Sequence, residues 1–79
     1  MNDAELIRWM LAYIATTIGE PSEALSLDTP LQAYDFDSID AVNMALALED
    51  KLGRPVDPEL MLDGSRNLHE VLRELQEAG

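Results

Sequence analysis

Apolar residues recur every three or four positions in three separate stretches of this chain, and no run alternates with period two over the length of a strand. That periodicity predicts an all-α fold with three principal helices, one short helix and a long first connection. The first helix is expected from about Asp3 to Ile18, with Asn2 or Asp3 as its cap. Ile7, Met10, Leu11, Ile14 and Ile18 form its apolar side, with Leu6 and Tyr13 flanking them, and Gly19 and Pro21 stop it. A second helix fits from about Ser38 to Leu52, ended by Gly53 and Pro55. A short helical turn is expected near Pro58 to Leu62, with Asp57 as cap and Asp63-Gly64-Ser65 breaking it. The last helix runs from about Leu68 to Ala78, where Asn67 and Glu70 are spaced as a capping box and Leu68, Val71, Leu72 and Leu75 make the buried face.

Size and charge then exclude whole classes of function. A chain of 79 residues is expected to form one domain over residues 1–79, since domains run from about 50 to 250 residues. Five basic residues against 16 acidic ones give a net charge of −11. A surface so acidic does not neutralise phosphates, so nucleic acid is excluded, and an anionic membrane would repel it. The chain lacks an apolar run of about 20 residues, the length a spanning helix needs. Nor does it open with the basic start and apolar core of a signal peptide, so a cytoplasmic home is the default. Without cysteine there is no disulfide framework, thiolate metal site or thiol redox chemistry. A core this small hardly accommodates an enclosed catalytic cleft as well, which argues against an enzyme. What remains is an acidic module that other proteins handle, with monomer as the default state.

Two regions carry more information than the rest. Between Arg8 and Lys51 there is no Lys or Arg, while Glu20, Glu23, Asp28, Asp35, Asp37, Asp40, Glu49 and Asp50 accumulate. Such a field either serves solubility or draws in a basic partner. The second helix is the other region. Its core face is expected to hold Ala41, Met44, Ala45, Leu48 and Leu52, yet Ile39, Val42 and Leu46 form a further stripe bordered by Ser38, Glu49 and Asp50. So small a domain cannot cover both sides of one helix, so the acid-bordered stripe is expected to stay open for docking. The alternative is that Val42 and Ile39 pack beneath the long connection, which Leu27, Leu31 and Phe36 would pin to the core. Ser38 either caps this helix or, if Asp37 caps it, stands free at the first helical position as a modification site. A serine nucleophile would need a base and an oxyanion hole as well.

Asp37-Ser38-Ile39-Asp40 at the head of an acidic helix resembles the Asp-Ser-Leu motif of the acyl carrier proteins. The approach Asp28-Thr29-Pro30-Leu31, the helix from Ile39 to Leu52 with Glu49-Asp50 near its end, and the apolar spacing of the last helix are similar too, so the likeness covers nearly the whole chain. The resemblance implies a four-helix carrier bundle without catalysis of its own. In that family a phosphopantetheinyl transferase moves 4′-phosphopantetheine from coenzyme A onto the motif serine, here Ser38, with Asp37 as its motif neighbour. The arm's terminal thiol holds the acyl group as a thioester, which suits a chain without cysteine. Expected partners are the transferase, an acyl-loading enzyme, and acyltransferases, ketosynthases or other acyl-processing enzymes with basic patches. Ile39, Asp40, Leu46, Glu49 and Asp50 carry over as partner contacts, and Val42 joins them from the open stripe. Reversing Glu49 to lysine is expected to weaken docking with little loss of stability.

Departures from the family pattern bear on the pathway. The motif leucine is Ile39, a change that conserves volume. Asp35 stands three residues before Ser38, where the family often has glycine, and aspartate tolerates unusual turn geometry. Asn43 and Lys51 occupy positions often acidic in fatty-acid carriers, which favours a polyketide or other specialised pathway. An aminoacyl or peptidyl carrier of the same fold is the runner-up. Other readings fail on spacing. A calcium loop opening at Asp35 would need glycine and glutamate where Asp40 and Leu46 stand, so no metal is expected. A triad of Ser38, His69 and an aspartate is disfavoured because His69 falls on the polar side of the last helix. Trp9 and Tyr13 belong to the core margin, Met10 and Met44 to the core, and Met61 is a candidate lining for an acyl chain. Arg66 and Arg73 are expected to pair with surface carboxylates.

Overall fold

A computed structural model describes residues 2–78, so Met1 and Gly79 at the ends of the expected domain lie outside the described residues. Four helices follow in order: α1 (Asp3–Ile18), α2 (Ser38–Leu52), α3 (Glu59–Leu62) and α4 (Leu68–Ala78). The described residues contain no strand. Each principal helix begins where a side chain accepts otherwise unpaired N–H groups. Asn2 caps α1 by accepting the Glu5 N–H at 2.8 Å, which decides between the two expected caps. Asn67 accepts the Glu70 N–H at 2.9 Å, and Glu70 accepts the Asn67 N–H at 3.3 Å, completing the expected capping box of α4. α1 and α2 end on Gly19 and Gly53, whose φ of 77° and 69° lie in the left-handed region that a side chain resists.

The core draws on every helix. Met10 and Ile14 of α1, Met44 and Leu48 of α2, and Leu68, Val71 and Leu75 of α4 are fully buried, joined by Leu31, Val56 and Met61 from the connections and α3. No polar or charged side chain is buried with them among the described residues. Sequence spacing places the α1 stripe slightly off its true axis. Leu6 and Ala15 are buried, whereas Ile7, Leu11 and Ile18 are half-buried at its edge. The stripe of helical spacing is wider than the contact, and packing on α4 selects the flank that is covered. Gln76 Nε2 donates to Asp3 Oδ2 at 2.6 Å, tying those two helices together.

The long first connection is held by short turns and by hydrogen bonds along its length. It contains two single 3-10 turns, Ser22–Ala24 and Leu31–Ala33. Tyr34 closes the segment between them: its hydroxyl donates to the Ser26 carbonyl at 2.9 Å and accepts the Ser26 N–H at 3.0 Å. Leu31 is buried as expected, while Leu27 and Phe36 are half-buried against the core. Two backbone bonds then stitch the second turn to the α3–α4 loop, Leu31 N–H to Arg66 O and Gln32 N–H to Gly64 O, both at 2.9 Å. Gly64 permits that approach, since a Cβ there would sit 2.8 Å from Gln32 Cβ. The stitch fixes the chain a few residues before Ser38.

Candidate functional site: Ser38 and the open face of α2

Asp37, and not Ser38, caps α2. Its Oδ1 accepts the Asp40 N–H at 2.9 Å, and Asp40 Oδ2 accepts the Asp37 N–H at 3.3 Å. The reciprocal pair satisfies two donors of the first turn and leaves Ser38 at the first helical position. Among the described residues no hydrogen bond engages the Ser38 hydroxyl, and the residue is exposed. Beside it lies a cleft of about 210 Å³ lined by Leu31, Phe36, Ala41, Met61 and Leu62. A fixed helix start, an accessible hydroxyl and open space next to it are what attachment of a long flexible group requires. The side chains present fit such a group.

The two faces of α2 separate cleanly. Ala41, Met44, Ala45 and Leu48 are buried, with Leu52 half-buried at the end. Ile39, Val42 and Leu46 are 69%, 39% and 57% exposed, so the long connection does not cover them. Leu62 of α3, 42% exposed, adds an apolar residue near Ser38 that sequence spacing did not single out. Its signal was only its place in a short helix whose other side, at Met61, is core.

The acids expected on this face differ in what they do. Asp50 is exposed. Asp40 is half-buried and turned to the helix start, where it completes the cap. Glu49 is half-buried, and its Oε1 accepts the Val56 N–H at 3.1 Å. Replacing Glu49 with lysine therefore carries a stability cost that the sequence alone does not reveal.

Residues 8–75 match the family model described as phosphopantetheine attachment site. The chain belongs to that family. Its members carry a covalently attached 4′-phosphopantetheine and are not themselves enzymes, so this is a phosphopantetheine-bearing carrier protein. Carrier domains of the family interact with phosphopantetheinyl transferase and acyl-processing enzymes. No curated protein matches the chain.

His69 is exposed, and its Nε2 lies 3.2 Å from Asp28 Oδ1. Arg66 pairs with Glu74 at 3.3 Å and Asp63 at 3.9 Å, as expected of a surface cation. Trp9 and Tyr13 stack at 5.3 Å between ring centres on the core margin. Met61 is buried and lines the cleft beside Ser38. No described helix is long and apolar enough to cross a membrane.

Proposed function

We propose that Ser38 is the attachment serine and that the chain is a single carrier domain delivering acyl thioesters in a polyketide or other specialised pathway. The observation that carries the assignment of Ser38 is its free hydroxyl at the first position of α2, released from capping by Asp37. Phosphopantetheine supplies a terminal thiol on a flexible arm, which holds cargo as a thioester. This chain supplies a rigid stalk and a face for recognition. A hydroxyl on a helix end moves little, so a transferase meets it in one geometry. A cytoplasmic setting fits a modification fed by coenzyme A.

Ile39, Val42 and Leu46, bordered by Glu49 and Asp50, form the docking face in this reading, with Asp40 acting mainly through the cap. The partners are the transferase, an acyl-loading enzyme, and an acyltransferase, ketosynthase or similar enzyme presenting Arg and Lys. Apolar contact would give affinity, and the acidic field would speed encounter with a basic surface. Asn43 and Lys51, both exposed on α2, support a specialised pathway over a fatty-acid one.

The test is the intact mass after incubation with coenzyme A and a broad-specificity phosphopantetheinyl transferase. The native chain is expected to gain one phosphopantetheine group and Ser38→Ala none. A gain in both proteins sinks the assignment to Ser38. No gain in either, with a control carrier modified, removes the carrier reading of this chain.

A further inference from the structure

Glu49 stands at the seam between the two faces of α2. At about 100° per residue it falls between Ala45 of the buried face and Val42 of the open one. Its Oε1 accepts the N–H of Val56, a core residue in the connection that leads into α3. One residue on, Asp57 Oδ1 accepts the N–H of Glu59, the first residue of α3, at 3.0 Å. With four residues, α3 is too short to hold itself, so its position depends on the burial of Met61, on the Arg66 Nη1 bond to the Glu59 carbonyl at 3.1 Å and on the connection before it. Met61 and Leu62 of α3 line the cleft beside Ser38. A continuous set of contacts thus runs from a half-exposed carboxylate on the open face, through Val56 and Asp57, to the far wall of the Ser38 cleft.

We propose that Glu49 is a positioning residue that couples docking on the open face of α2 to the placement of α3. A partner guanidinium that pairs with the Glu49 carboxylate and turns the side chain outward draws Oε1 away from the Val56 N–H and frees the connection leading to Met61 and Leu62. The bidentate pairing of Arg with a carboxylate is the interaction strong enough to compete with a backbone donor. Linkage makes the effect reciprocal: whatever loosens the Glu49–Val56 bond also favours the docked state. The proposal rests on the open face being the docking surface.

The experiment titrates the apo chain with a broad-specificity phosphopantetheinyl transferase in the absence of coenzyme A, so that no transfer occurs, and follows amide hydrogen exchange by NMR. At saturation the Val56 amide is expected to exchange about tenfold faster, and that of Leu62 to follow, while Leu72 in α4 is unchanged. Glu49→Gln keeps an oxygen for Val56 but removes the charge. In the free variant Val56 should stay protected to within about threefold of the native chain, and transferase should no longer speed its exchange. Constant Val56 protection in the saturated native chain overturns the coupling, even if Glu49→Gln weakens binding, because Glu49 then supplies charge alone. Binding that is indifferent to Ile39→Asp, Leu46→Asp and Glu49→Gln alike overturns the docking face instead. The native titration decides the coupling without relying on any variant.

Discussion

The buried and open faces of α2 carry similar side chains to opposite ends. Leu48 is wholly enclosed by the core, and Leu46, two residues earlier, is more than half exposed. Both are leucines on one rigid helix, so propensity cannot distinguish them. What differs is the protein available to cover them: α1, α3, α4 and the connections close over one side, and among the described residues Ile39, Val42 and Leu46 on the other stay exposed. Burial makes one face the source of stability. Exposure leaves the other available for the proposed docking, where removing an apolar residue is expected to lower affinity while hardly affecting folding.

The contrast is open to direct attack. Leu48→Ala is expected to cost about 2–5 kcal/mol, with its packing lost and a cavity left in the core. Leu46→Ala should stay within about 0.5 kcal/mol, as surface changes do. Urea denaturation of both variants measures the difference, and equal losses would end the division into two faces. Next in size, Ile39→Asp is expected to weaken transferase binding about tenfold, or about 1.4 kcal/mol, at an unchanged melting temperature. Titration calorimetry beside a thermal melt checks it, and unaltered affinity would mean that the open face is not where this partner sits. Asp37→Ala, which removes the cap holding Ser38 at the first helical position, should cost about 1 kcal/mol in the same denaturation assay.

The smallest effect belongs to the α3–α4 loop. The Ser65 hydroxyl and backbone N–H both donate to the Asp63 carboxylate, and Arg66 lies nearby, so its pKa falls below the ordinary 3.8. A carboxyl depressed on folding adds stability above its unfolded pKa and loses it as pH drops through the folded one. Ser65→Ala should therefore raise the Asp63 midpoint in an NMR titration and slightly flatten the acid limb of the stability curve below about pH 4. An unmoved midpoint would remove Ser65 as the cause.

Most of the scaffold was legible in the sequence because its signals are local. Capping side chains, terminating glycines and a 3.6-residue period place α1, α2 and α4 with the bounds observed, and Asp37-Ser38-Ile39 identifies the critical turn. The open stripe was legible too, from arithmetic: too many apolar residues on one helix for so short a chain. The 3-10 turns at Ser22–Ala24 and Leu31–Ala33 carry no such signal, since a three-residue turn has no periodicity.

Sequence by itself thus determined the principal helices and their ends, because each depends on neighbours within a turn, while it left open whether Asp37 or Ser38 caps α2. Only the tertiary structure decided which flank of α1 is covered, that Gly64 must lack a side chain to lie against Gln32, and that Glu49 holds Val56. Those outcomes join residues that are separate along the chain. They depend on the distances between packed elements, which no local pattern encodes.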